Sequence, residues 1–186
     1  RVLFRSFFRE TPNYSVLSKP KERSQGKKMS IERVRAYFRT QGIDSRIREL
    51  DESSATVALA AKVLGCEQCR IAKTLAFIVG ETPILVVTAG DAKIDNAKYR
   101  TLFHAKAKML TPEKTEEMIG HAPGGVCPFA GNDGVKIYLD VSLKRFDEVF
   151  PACGSGNSAI GLTIPELEKY SGYPEWVDVC KLPEEQ

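Results

Sequence analysis

Thr74-Leu75-Ala76-Phe77-Ile78-Val79 and Ile84-Leu85-Val86-Val87-Thr88, joined by Gly80-Glu81-Thr82-Pro83, decide the fold class of this chain. Both runs are continuous apolar stretches rich in β-branched residues, and a Gly…Pro connection bounds them, so they read as a hairpin of two buried strands. Outward from this hairpin the pattern changes period. Upstream, Ile31, Val34 and Phe38 recur at helical spacing after Ser30 as the expected N-cap, and Gly42 ends the run. Arg46 to Leu50 alternates as a short strand, and Ser54 is the expected cap of a second helix. That helix gathers Val57, Ala60, Ala61 and Leu64 on one face and stops at Gly65. Downstream, a basic helical stretch covers Asp95–His104, and Thr111-Pro112-Glu113 opens a further helix. Val135 to Leu139 reads as a strand, Ser142–Phe150 as a helix and Ala159–Thr163 as extended. Pro165–Tyr170 reads as a helix and Trp176–Cys180 as a last strand. A hairpin mixed with helices in this way predicts a single α+β domain with a mostly antiparallel or mixed sheet.

The 186 residues suffice for one domain, and 42% hydrophobic with 27% charged residues is ordinary for a globular chain. No apolar run approaches the roughly 20 residues of a membrane-spanning helix. The net charge of +3 conceals a split: residues 1–28 hold eight Lys/Arg against two Glu, +6, and residues 29–186 hold nineteen against twenty-two, −3. The first 28 residues are Arg-rich, as a transit peptide would be, while Arg5 and Arg9 interrupt the apolar residues that a secretory signal needs. The reading adopted is a non-native or disordered extension over 1–28, with Met29 as the start and a domain over 29–186. Five cysteines, an odd set, fit reduced thiols in a cytosolic compartment.

Several segments could hold chemistry. Lys73, beside the apolar run, either snorkels its ammonium to water or holds it at a pocket rim, where it binds an anion or steadies an oxyanion. Pro123-Gly124-Gly125-Val126-Cys127-Pro128-Phe129 is either a plain tight turn or a loop that brings its backbone against a ligand. Gly154-Ser155-Gly156-Asn157-Ser158 is a second small-residue wall or a connector. Cys66-Glu67-Gln68-Cys69 has no companion pair at zinc spacing and reads as two incidental thiols. A cysteine hydrolase would need Cys127 as nucleophile, His121 or His104 as base and Asp140 as orienting acid, although His121 reads as a loop-surface residue. Lys93, Lys98, Arg100, Lys106 and Lys108 form the best nucleic-acid patch of the body, or a solvated charged face.

Ala72-Lys73-Thr74-Leu75, Val87-Thr88-Ala89-Gly90-Asp91, Gly124-Gly125-Val126-Cys127-Pro128-Phe129, Val135–Asp140 and the 154–158 turn, in this order, resemble the YbaK/EbsC family. That family contains free-standing aminoacyl-tRNA deacylases related to the editing domain of prolyl-tRNA synthetases, and the resemblance spans roughly Ile31 to Lys181. It implies a mixed, strongly curved β-sheet with packed helices and a trans-editing hydrolase that cleaves mischarged aminoacyl-tRNA, with tRNA(Pro) carrying a small wrong amino acid foremost. It further implies Lys73 and Gly124 as catalytic residues and Thr74, Thr88, Gly125, Val126, Cys127, Pro128 and Gly154 as substrate-binding. No metal or cofactor is implied. The implied partners are aminoacyl-tRNA and, second, prolyl-tRNA synthetase, with neither membrane nor DNA, in the cytoplasm. Cys127 stands where some members have Ser, so the resemblance requires no thiol nucleophile. Ala159 stands near an Asp of Cys-tRNA-acting members, and Leu50 and Thr56 replace their aromatics, which leaves the edited amino acid open. The reading from another class is a non-catalytic protein that holds tRNA ends or a small ligand in the same pocket.

Overall fold

The computed structural model describes residues 20–50 and 56–183, with side chains from Ser30 onward. Its centre is the expected hairpin, longer than the apolar runs alone suggest: β2 (Ile71–Val79) pairs antiparallel with β3 (Thr82–Ala89), from Val79 opposite Thr82 to Ala72 opposite Ala89. Lys73 therefore sits inside the ladder, opposite Thr88. On one side β3 runs parallel to β5 (Lys136–Asp140), and β5 runs parallel to β9 (Glu175–Val177). On the other side β2 runs parallel to β6 (Glu148–Pro151), which pairs antiparallel with β8 (Leu162–Thr163). The result is a curled, mixed six-stranded sheet in the order β8-β6-β2-β3-β5-β9. Two short ladders lie beside it: β1 (Arg48–Glu49) with β7 (Ser158–Ala159), and β4 (Lys93–Ile94) with β10 (Cys180–Lys181).

The hairpin is largely apolar because both of its faces are covered. Phe77, Val86 and Val87 join the main core with Val34, Phe38, Phe129 and Leu139, while Ala76 and Leu85 meet Leu110 and Ile119 in a separate cluster. Helix α1 (Pro20–Thr40) lays Ile31, Val34 and Phe38 into the core, and the Phe38 ring lies 4.8 Å from that of Phe129. Helix α2 (Val57–Leu64) packs on a satellite cluster of Leu50, Ala60, Ala61, Leu64, Ile71 and Ala159. Helix α3 (Asn96–Phe103) is capped by the Asp95 carboxylate, α4 (Pro112–Ile119) by Thr111, and α5 (Ile164–Tyr170) by a Thr163/Glu166 capping box. No helix among the described residues is long and apolar enough to cross a membrane.

The structure corrects several local readings. Ser30 is not an N-cap: α1 begins at Pro20, its first turn opened by a proline, and runs through Gly26 and Ser30, whose hydroxyl instead reaches His121. The cap of α2 is Thr56, whose hydroxyl accepts from the Leu59 N–H, while Ser54 lies outside the described residues. Ser142–Phe150 is not a helix. A 3-10 turn over Val141–Arg145 gives way to β6, whose Phe150 and Pro151 pair with Ile71 and Ala72, a long-range pairing that overrides the local periodicity. The final segment is two strands in different ladders, separated where Val179 N–H donates to the Asp140 carboxylate.

Candidate active site

Residues from four parts of the chain enclose a cavity of about 220 Å³. One wall is the start of β2: Ile71, Ala72, Lys73 and Thr74. A second is the inner face of α2, with Thr56, Val57, Ala60 and Leu64. The third comes from the glycine loops, Gly124 and Val126 with Ser155 and Gly156, and Phe150, Ala152, Ser158 and Ala159 complete it. The lining is chiefly aliphatic, with Lys73 as its one charged side chain among the described residues.

Backbone contact between the two loops builds the third wall. A Cβ on Gly125 would lie 2.4 Å from the Gly154 carbonyl and from the Ser155 nitrogen. Gly154, at φ +85°, leaves no room either, since a Cβ there would meet the Ser30 carbonyl oxygen at 2.6 Å. Glycine is the one residue that permits this approach. The 154–158 turn is further tied to the strand before α2. Leu50 N–H donates to the Asn157 carbonyl at 2.7 Å, and the Asn157 side-chain amide donates to the Leu50 carbonyl at 3.0 Å.

The Lys73 ammonium does not snorkel freely. It is half-buried and donates to the Gly90 carbonyl at 3.2 Å and to the Ala92 carbonyl, both in the turn that follows β3. Burial holds its pKa below the ordinary lysine range, with Lys93 adding repulsion against the opposing fields of Cys180 and Asp91. The turn itself is braced: Gly90 N–H donates to the Cys69 carbonyl at 3.2 Å, and the Arg145 guanidinium grips the Asp91 carboxylate with bonds of 3.0 and 2.5 Å. An ammonium has three donors, so two carbonyls leave one N–H for a ligand.

Of the residues named from sequence, the cavity gathers Lys73, Thr74, Gly124 and Val126, together with Thr56, Ala159 and Ser155, Gly156 and Ser158 of the 154–158 turn. Gly125 and Gly154 stand behind it as the contact between the loops. Thr88 is fully buried and its hydroxyl donates to the Ala89 carbonyl. Cys127 and Pro128 line a different cavity, of about 250 Å³, behind the glycine loop. Thr56 was named from sequence as replacing an aromatic; Val57, Ala60 and Leu64 were read only as the apolar face of a helix, and Phe150 was not singled out.

His121 is fully buried, not a loop-surface residue, because α1 and the loop around Phe129 close over it. Its Nε2 lies 2.8 Å from the Phe129 carbonyl, which can only accept, so Nε2 holds the proton and Nδ1 accepts from the Ser30 hydroxyl at 2.7 Å. Burial pulls the imidazole pKa down to about 4. Cys127 Sγ is 3.6 Å from that same Nε2, yet the thiol is fully enclosed and burial pushes it up to about 12. A protonated Nε2 cannot take the thiol proton, so this pair is not an activated nucleophile. Asp140 is occupied elsewhere, accepting from the Ser142 and Val179 N–H groups at 2.9 Å each. His104 is exposed at the end of α3. Cys66 and Cys69 are free thiols, and among the described residues no three His, Cys, Asp or Glu side chains converge as metal ligands do.

Comparison with known proteins gives a consistent result. A family model described as the aminoacyl-tRNA editing domain matches residues 51–170. Protein YwhH of Bacillus subtilis (strain 168) is 51% identical over 154 residues, 82% of this chain and 98% of that protein. A solved structure described as a candidate trans-editing enzyme for prolyl tRNA synthetase superposes with a TM-score of 0.74 at 30% identity, covering 82% of this chain and 97% of the other. A proline–tRNA ligase of Leptospira interrogans (serovar Lai, strain 56601) is 28% identical over 164 residues, which are 84% of this chain but 28% of the ligase.

Proposed function

This chain belongs to the aminoacyl-tRNA editing domain family, and from that premise we propose that it is a trans-acting deacylase that hydrolyses the ester of mischarged aminoacyl-tRNA in the cytoplasm. Its substrate on this reading is tRNA(Pro) bearing a small wrong amino acid. The observation that carries the reading is the cavity where Lys73, Gly124 and the Ser155–Gly156 backbone meet. At about 220 Å³ it is smaller than the ~300–1,000 Å³ of a pocket for a drug-sized ligand. It takes one small aminoacyl group and its ester, and leaves the nucleotides outside.

The chemistry follows from what lines the cavity. The ester is already activated by the vicinal ribose hydroxyl. Water adds to the ester carbonyl, the C–O bond to ribose breaks, and the departing ribose oxygen takes the proton that the water loses. No imidazole or carboxylate among the described lining residues serves as a general base. The contribution of the protein is to orient ester and water and to stabilise the oxyanion, through the Lys73 charge and the main chain of the 124–126 loop. The Gly125 N–H is not available for this, since it donates to the Ala122 carbonyl at 3.0 Å. Val57, Ala60, Leu64 and Phe150 bound the space for the amino-acid side chain. Such a pocket discriminates by about 1–3 kcal/mol per methylene, which is why a second sieve after aminoacylation is useful.

The test is release of free amino acid from Ala-, Cys- and Ser-charged tRNA(Pro), with correctly charged Pro-tRNA(Pro) as control. Release of one or more small amino acids with Pro-tRNA(Pro) spared supports a deacylase. Retention of charged tRNA without release supports a binding protein instead.

A further inference from the structure

Within the basic patch read from sequence, the residues have different neighbours. Lys98 is held by the Asp178 carboxylate at 2.7 Å and by the Cys180 carbonyl at 3.0 Å, while Lys106 and Lys108 lie past α3, where Lys108 offers its carbonyl to Ile78 N–H on the β2 edge. Lys93 acquires a different neighbour. In the β4–β10 ladder it stands directly opposite Lys181, and both side chains are exposed. Opposed residues of an antiparallel pair project from the same face with Cβ atoms about 5 Å apart, where like charges destabilise the pairing. This ladder is only two residues long on each strand, so it has little pairing energy to offset that repulsion. Among the described residues, the nearby carboxylates are largely engaged: Asp91 by Arg145, Asp178 by Lys98, and Asp95 by the first N–H groups of α3, although Asp95 also feels the field of Lys181.

The position of the pair suggests what offsets the repulsion. Lys93 directly follows Ala92, whose carbonyl takes the Lys73 ammonium, so the pair lies next to the turn that holds the one cation among the cavity's described lining residues. A substrate whose aminoacyl end fills the cavity must lay its phosphates on the surface beside it. We propose that Lys93 and Lys181 together form a phosphate-contact site for the RNA end of the substrate. The inference rests on the reading of an aminoacyl-tRNA substrate, but it is testable without turnover.

The probe is an uncharged acceptor-stem RNA hairpin ending in CCA, whose binding is followed by fluorescence anisotropy across a range of KCl concentrations. Lys181→Glu and the double variant Lys93→Ala/Lys181→Ala are compared with the unaltered chain. Binding should weaken about tenfold or more, and the slope of log affinity against log salt should become shallower by about 0.7 for each lost phosphate contact. Release from charged tRNA should fall in parallel, while hydrolysis of a phosphate-free aminoacyl-adenosine stays unchanged. Lys181→Glu places a carboxylate opposite Lys93, so its melting temperature should hold or rise. Unchanged RNA affinity and salt slope would overturn the proposal, as would equal losses on the phosphate-free ester. If the unaltered chain hydrolyses no ester at all, the deacylase reading fails and the salt slope still decides the phosphate site.

Discussion

His121 combines complete burial with an imidazole that stays neutral down to about pH 4, against an ordinary value of 6.5. Between those two values the unfolded chain binds a proton that the folded chain refuses, so stability falls as pH drops through this window. It is fully present above about pH 6.5, and by pH 4 about 3 kcal/mol has been lost. Urea midpoints measured from pH 7 to pH 4 should show that slope, and His121→Gln should flatten it. An identical slope in both chains would show that the pH dependence lies elsewhere. At Cys127, enclosure and a thiol pushed up to about 12 argue for packing and against nucleophilicity. Cys127→Ser should therefore keep amino-acid release within a few-fold, and iodoacetamide should leave the native thiol unmodified. A loss of about a thousandfold or more would restore the covalent reading.

Among the elements, the β2–β3 hairpin was legible because its apolar runs and Gly-Glu-Thr-Pro connection admit few other conformations. The 112–119 helix was legible because Thr111 and Pro112 start it chemically. What stayed hidden is partnership across the chain: β6 on β2, β1 on β7, and β10 on β4 join residues about 80 to 110 positions apart, and the alternation of Arg46 to Leu50 showed a strand without its partner. The same division holds at the site. Lys73 and the glycine loop announced themselves by residue type, whereas Phe150 reached the cavity only through the β6 pairing. The two glycine loops give a paired prediction. A methyl on Gly125 strikes fixed backbone at 2.4 Å, so Gly125→Ala should cost about 2 kcal/mol or more and abolish activity. A methyl on Gly156 meets Gly124 atoms no closer than 3.7 Å, so Gly156→Ala should melt normally while narrowing the cavity it lines. Its signature is selective loss of release for the larger acyl groups, read from a series of charged tRNAs beside thermal melts.

For the whole molecule, a mildly acidic body is preceded by a strongly basic segment, and α1 continues from that segment into the core. Among the described side chains of α1, Ser30, Ile31, Val34 and Phe38 are buried, and all follow Met29, so a chain shortened to start at Met29 should fold and keep its activity. A fall of several degrees in its melting temperature would show that the preceding turns of α1 contribute to the fold. The body is assembled so that the hairpin, the glycine loops and α2 close on one small cavity, with Lys73 supplying the only charge among its described lining residues. The central claim is that this charge stabilises the oxyanion of ester hydrolysis. The direct measurement is single-turnover release of amino acid from Ala-, Cys- and Ser-charged tRNA(Pro) by the unaltered chain and by Lys73→Ala, each at a temperature where its own melt shows it folded. Release by the unaltered chain is expected, with a loss of about a hundredfold or more in the variant, the ~2.7 kcal/mol of one well-placed donor. Equal single-turnover rates in two folded chains would contradict it.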